Sequence, residues 1–262
     1  MSEFTVLSLT TDYGLDDGFV AQCHGVAIER APLARLVDVS HAIPPGDVRR
    51  GAAVLAQTVP SLPAGVHVAV VDPGVGTTRR PVAVDTGAGV LVGPDNGLLG
   101  WAAEALGGAR RAVALTNAEL HRHPTSHTFH GRDIFVPVAA AVFTGTVWDE
   151  LGDPMRVADL VCLPEPRVRA DEDGFAAEVL SVDRFGNVQL ALRGDALENY
   201  GEKFHIGRHL ATRGDMFAAA DPGALVLLID SAGQATIAVN GGSAAQALRL
   251  DAGDVVEVSA AE

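Results

Sequence analysis

Cysteine is nearly absent: Cys23 and Cys162 stand far apart in a chain of 262 residues. So few thiols exclude a disulfide framework, and each is expected to be buried. Positive charge is scarce as well, 19 basic against 33 acidic side chains, a formal net charge of −14. That balance repels a polyanionic backbone and excludes nucleic acid as a partner. The acidic residues are scattered, as on a solvated surface. No apolar run approaches the ~20 residues of a membrane helix. The opening MSEFTVLSLT lacks the basic segment and apolar core of a signal peptide, so a cytoplasmic location is expected.

What is present is a core-forming composition, 48% hydrophobic, in a chain long enough for one large domain or two modest ones. The first half alternates strand-like runs (4–11, 35–40, 66–72, 81–85, 90–92) with helical patterns (from 16, 47–58, 96–106, 134–143). Alternation of this kind predicts an α/β domain with a largely parallel sheet. Residues 153–174 are rich in Pro, Asp and Arg and read as a linker. Beyond them the helical period fades, and short runs at 175–182, 188–192, 225–230, 235–239 and 254–258 are separated by turn signals. The expectation is an α/β domain over 1–152 and a smaller all-β, barrel-like domain over 175–262.

Three segments place an acidic residue beside glycine just after a strand: Thr11-Asp12-Tyr13-Gly14, Asp72-Pro73-Gly74 and Gly93-Pro94-Asp95-Asn96-Gly97. Singly each is a turn; together they predict a polar pocket at the strand ends, where open α/β sheets bind ligands. The stretch VVDPGVGTTRRPV has neither the third glycine and helix of a dinucleotide fingerprint nor the Gly-Lys-Ser/Thr of a P-loop. Without a phosphate grip, carboxylates suit a ribose diol or a cationic ligand. Four of nine histidines lie in HRHPTSHTFHGRD, at spacings that match no familiar zinc motif, so no metal is expected. His121 and His123 read as exposed, and Asp133 as a helix cap. The stretches SVDRFGNVQL and NGGSAA read by themselves as hairpin turns.

Taken in order, TTDYGLDDGFVAQCHG, VVDPGVGTTRRP, GPDNGLL, TFHGRDIFVPVAA, SVDRFGNVQL and NGGSAA resemble the S-adenosyl-L-methionine hydrolases, or hydroxide adenosyltransferases, relatives of fluorinase and chlorinase. The resemblance implies an α/β plus β-barrel protein that forms a homotrimer with substrate sites at subunit interfaces. It implies hydrolysis of S-adenosyl-L-methionine (SAM) to adenosine and methionine, with no cofactor. It assigns Asp72, Arg79 and His130 to the attacking water and Asp12 to the ribose diol. Asp17, Phe129, Asp183, Phe185, Asn187, Ser231, Val239 and Gly241 would contact the rest of the substrate. Fluorinase carries tyrosine at the positions of Asp72 and His130 and serine at that of Gly131, so this set implies water rather than halide. A chloride-using adenosyltransferase and a non-catalytic SAM-binding protein are the alternatives. Neighbours on a strand face opposite ways, so only one of Arg79 and Arg80 can enter the pocket; the resemblance selects Arg79. Asp72 and His130 are expected to accept the water's hydrogen bonds, one of them taking its proton.

Overall fold

The computed structural model describes residues 4–261, which divide into two compact units, residues 1–163 and 164–262. In the first, seven strands form one sheet: β1 (Val6–Thr11), β2 (Arg35–Ser40), β3 (Gly65–Val70), β4 (Pro81–Asp85), β5 (Val90–Pro94), β6 (Arg111–Ala114) and β7 (Asp153–Met155). The order is β2-β1-β3-β5-β4-β6-β7; the first four strands run parallel and the remaining pairings are antiparallel. β1, β3 and β5 are buried along their whole lengths because both sheet faces are covered. Side chains alternate across the pleat. Leu7, Leu9, Val66 and Val68 pack with Cys23 and Ala27 of α1 (Phe19–Arg30) and Val138 and Ala139 of α4 (Val136–Thr144). Ala69 and Val71 pack on the other face with Leu55 of α2 (Val48–Thr58) and Ala102 of α3 (Gly100–Ala105).

From β1 the chain passes through α1 to β2 on one side and through α2 to β3 on the other. The order therefore reverses between β1 and β3, and the carboxyl ends of these two strands frame the crevice in which such sheets hold ligands. Thr11 pairs with Val70 at that end, so Asp12 follows one residue and Asp72 two residues beyond the last register position.

In the second unit, β9 (Gly174–Val182), β10 (Val188–Arg193), β11 (Lys203–Ile206), β12 (His209–Arg213), β13 (Leu225–Ile229), β14 (Gln234–Val239) and β15 (Val255–Ala260) close into a seven-stranded barrel. The ring runs β9-β10-β14-β13-β12-β11-β15 and back to β9, with β8 (Val168–Asp171) paired to the outside edge of β9. Inward residues such as Val179, Leu190, Phe204, Leu227, Ile237 and Val258 fill it. A short helix α5 (Ala244–Leu248) is capped by Ser243, whose Oγ accepts the Gln246 N–H at 3.2 Å.

Several local expectations are corrected. Residues 153–174 are not structureless, because they contain β7 and β8, and β6, β11 and β12 were not anticipated. Each of these strands has at most five residues, too short for a period to show. α1 starts at Phe19 rather than at Asp16, and the expected helix over 96–106 shrinks to Gly100–Ala105. Asn96 spends its side chain on a turn, donating to the Val71 carbonyl and accepting from Leu98 N–H. Cys23 is buried, but Cys162 is exposed, a correction traceable to its place after Leu160 near the unit's end.

Candidate active site

The turn after β3 brings Arg79 back to Asp72. Val75 N–H bonds to the Asp72 carbonyl at 3.2 Å, and both the Thr77 N–H (3.2 Å) and hydroxyl (2.7 Å) bond to the Gly74 carbonyl. Gly76 takes φ +77°, and a Cβ there would stand 2.5 Å from the His127 carbonyl oxygen, so the tight turn demands glycine. Arg79 then meets Asp72 side-on. Its Nε donates to both carboxylate oxygens at 2.9 Å, and Nη2 donates to Oδ2. The pair is nearly dry, with side-chain exposures of 4% for Asp72 and 10% for Arg79. The guanidinium also lies 5.1 Å from the Phe135 ring centroid.

The second hydrogen of Arg79 Nη2 points to His130 Nδ1 at 2.9 Å. A guanidinium only donates, so Nδ1 must accept and the neutral imidazole carries its hydrogen on Nε2. Burial, reinforced by the Arg79 charge, lowers the His130 pKa from its ordinary 6.5 and keeps the ring neutral. This revises the expectation that His130 accepts from the water: the free nitrogen is a donor. Arg80 turns away, as alternation requires, and pairs with the buried Asp95; its Nη2 also donates to the Asp159 carbonyl at 2.6 Å. Asp95 Oδ1 accepts Val161 N–H at 2.8 Å. Asp95, the third strand-end carboxylate expected in the pocket, is therefore a structural tie.

His130 sits just before a π-helical turn, Gly131–Phe135, that leads into α4. Pro137 has no N–H to bond the Asp133 carbonyl one turn back, and that carbonyl accepts Arg122 N–H at 2.8 Å instead. Asp133 does not cap the helix as expected. Its carboxylate is fully buried, taking Arg132 Nε at 2.7 Å, Arg132 Nη2 at 2.9 Å and Ser126 N–H at 2.9 Å. Burial alone would raise its pKa, but the Arg132 and Ser126 hydrogen bonds prevail and hold it below the usual carboxylate value.

Asp12 is half-buried, and its Oδ2 accepts Gly46 N–H at 2.9 Å. Behind it, Thr11 Oγ1 lies 2.8 Å from His41 Nδ1 and accepts Tyr13 N–H at 3.2 Å, while Gly14 N–H bonds to the His41 carbonyl at 2.8 Å. Asp38 clamps this arrangement from outside, with Oδ1 at 2.8 Å from His24 Nε2 and 3.0 Å from His41 Nε2. Burial opposes its charge, yet hydrogen bonds from His41 and His24 hold its pKa below the ordinary carboxylate value. Among the described residues, His24, Asp38 and His41 are the one trio with metal-ligand atoms within 4.8 Å of each other. Phe129 is buried and makes edge contacts with Tyr13 (5.5 Å) and Phe19 (5.3 Å). Asp17 lies exposed in the bend before α1.

In the second unit, Asp183 Oδ1 accepts the Phe185 N–H (2.8 Å) and Asn187 N–H (2.9 Å), and Oδ2 accepts Asn187 Nδ2 at 2.7 Å. Asp183, Phe185, Asn187, Val239 and Gly241 line one groove of about 660 Å³, together with Phe217 and Gly242. Phe185 is 76% exposed there, an expensive place for a phenyl ring without a partner. Ser231 lies in the turn before the other end of β14, a strand that by itself spans about 17 Å from Gln234 to Val239 at the usual rise per residue. Sequence reasoning missed Tyr13, the His24–Asp38–His41 clamp and Phe217. Only Tyr13 had a visible signal, its place inside the strand-end motif.

Two family models match the chain, the SAM hydroxide adenosyltransferase N-terminal domain over residues 7–152 and its C-terminal domain over 177–257. The chain belongs to the SAM hydroxide adenosyltransferase family. Among the curated relatives of this family member, one from Salinispora tropica named (R)-S-adenosyl-L-methionine hydrolase is 56% identical, over 97% of both chains. A Thermus thermophilus relative of the same name is 42% identical over 93% of this chain and 95% of its own. A fluorinase from Nocardia brasiliensis is more distant, 26% identical over 97% and 96%. A crystal structure of an uncharacterised conserved protein from Thermotoga maritima matches with a TM-score of 0.90 at 33% identity, covering 97% of this chain and all of that one.

Proposed function

We propose that this hydroxide adenosyltransferase hydrolyses SAM to adenosine and L-methionine, by in-line attack of one water on the 5′ carbon. The single observation that carries the reading is the nearly dry Asp72–Arg79 pair, with His130 held 2.9 Å from the guanidinium, at the switch point of the sheet. The C5′–S bond breaks with its electron pair moving to sulfur, which leaves as a neutral thioether and needs no acid. The O–C5′ bond forms as the water loses a proton. Asp72 accepts that proton's hydrogen bond and offsets the positive charge growing on oxygen, then passes the proton to solvent. Arg79 holds the carboxylate in place, and His130 Nε2–H donates to the water oxygen and fixes its position. A halide would meet the Asp72 carboxylate and be repelled, which favours water over chloride.

Among the described residues only one Asp12 carboxylate oxygen accepts a hydrogen bond, and the other would take the ribose hydroxyls, while Phe129 and Asp17 would flank them. The Asp183–Asn187 turn, Phe185, Val239 and Gly241 would hold the nucleoside and methionine ends, and one molecule reaching Ser231 as well would have to lie along β14. The names of the relatives support the (R)-sulfonium epimer as preferred substrate. We place these two groups of residues on neighbouring chains of a homotrimer, which would cover the exposed Phe185. The substrate is a cytoplasmic metabolite, which supports a cytoplasmic location; no helix among the described residues is long and apolar enough to cross a membrane.

The test is incubation with each sulfonium epimer in H₂¹⁸O, followed by chromatography and mass spectrometry. Equimolar methionine and adenosine labelled at the 5′ oxygen, formed faster from the (R) epimer, are expected. 5′-Chloro-5′-deoxyadenosine formed in chloride, or binding without turnover, would overturn the reading.

A further inference from the structure

We propose that the Tyr13 hydroxyl is a further positioning group for the attacking water, occupying the volume that a side chain at position 131 would need. The inference rests on the reading of Asp72 and His130 as holders of that water. A Cβ built on Gly131 would overlap the Tyr13 hydroxyl and stand 3.1 Å from its Cζ. The phenol tip thus lies against the backbone one residue from His130. Its direction is set from three sides. Phe129 meets the ring edge-on at 5.5 Å and 77°, Phe19 packs at 6.0 Å, and the Tyr13 N–H is tied to Thr11 Oγ1.

Everything about this side chain is accounted for except its polar atom. The hydroxyl has no hydrogen-bond partner among the described residues. The side chain is half-buried between aromatic rings, and its oxygen, which is not closed off from solvent, is open to bond a water. Burial, and the nearby charges of Asp12 and Asp72 among others, push its pKa well above 10, so it stays a neutral group able both to donate and to accept.

A water has four tetrahedral directions, and the site supplies partners for each. It donates one hydrogen to Asp72 and one to the Tyr13 oxygen, and it accepts from His130 Nε2–H. The fourth direction, a lone pair, is left for the 5′ carbon. On this account Gly131 is glycine because the hydroxyl must stand where its side chain would be.

The experiment compares Tyr13→Phe, Gly131→Ala, the double variant and His130→Ala, measuring kcat, KM, calorimetric SAM affinity and Tm. Tyr13→Phe is isosteric and should fold with an unchanged Tm. It should lose about tenfold or more in kcat, with KM and affinity within about twofold, as expected for one lost hydrogen bond in the transition state. Gly131→Ala should lose activity because its methyl displaces the hydroxyl. The double variant relieves that overlap and should still be no faster than Tyr13→Phe alone. Wild-type kcat in Tyr13→Phe, or its recovery in the double variant, would overturn the proposal and leave Tyr13 a packing residue. If His130→Ala is slowed about tenfold or more in that case, only the role of Tyr13 fails; if it too is fully active, the reading of the site fails with it.

Discussion

Replacing His130 by glutamine separates two roles that alanine cannot. Because Arg79 Nη2 donates to Nδ1 at 2.9 Å, His130 must present an acceptor to the arginine and a donor to the cavity. Glutamine offers an amide oxygen and an amide N–H, the same pair of functions, but it cannot take a proton. Alanine removes both. A hydrogen bond involving a charged partner is worth about 1.5–3 kcal/mol, so losing the Arg79 contact and the grip on the water should slow His130→Ala about 10- to 150-fold. His130→Gln should stay within about tenfold of wild type under the same logic. Were His130 the general base, glutamine would fare no better than alanine, and both would fall about 10²- to 10⁴-fold. Single-turnover adenosine formation under saturating SAM reads the chemical step directly. The wild-type pH profile adds a second check. The productive ring is neutral and its pKa is lowered by burial and Arg79, so activity should be flat above pH 6.5 and decline only on the acid side of it. Equal losses in the glutamine and alanine variants would refute the donor assignment.

Buried His67 should set much of the acid sensitivity of folding. Desolvation lowers its pKa from 6.5 to about 4, so the unfolded chain binds the proton first and stability falls as pH drops through that window, by roughly 3 kcal/mol in all. Urea unfolding at pH 7 and near pH 4 should show this decline, and His67→Asn should flatten it; an unaltered acid limb would reject the assignment. Gly76→Ala forces a side chain into φ +77° and against the His127 carbonyl. It should lower stability by about 1–3 kcal/mol and reduce kcat by misplacing Arg79; intact kcat and Tm would show that the turn tolerates a side chain. Mixing His130→Ala with Asp183→Ala subunits after partial unfolding tests the trimer arrangement. Sites shared between chains should recover about a quarter of wild-type activity at equal random mixing, whereas sites within one chain should recover none.

From sequence alone, the α/β alternation placed Asp12 and Asp72 at strand ends, because buried parallel strands are near-continuous apolar runs and their ends are marked by Asp, Pro and Gly. The closing hairpins of the barrel were legible for the same reason. Short strands such as β6, β11 and β12 were not, since four or five residues carry too little pattern to outweigh their context. The site divided in the same way. Motif resemblance named Asp72, Arg79 and His130, but a linear string does not say which nitrogen of an imidazole a guanidinium will face. That was decided by the turn at Gly76 and the π-helical entry to α4, which bring residues 51 positions apart to 2.9 Å and thereby make His130 a donor. Asp95, alike in sequence to the other two strand-end carboxylates, was assigned to structure by the outward turn of Arg80. Tyr13 looked like part of a turn until packing put its hydroxyl in the place of a missing side chain. Sequence determined which chemical groups stand at the strand ends; only the tertiary contacts, formed between residues remote in the chain, decided which way each group points and whether it gives or takes a proton.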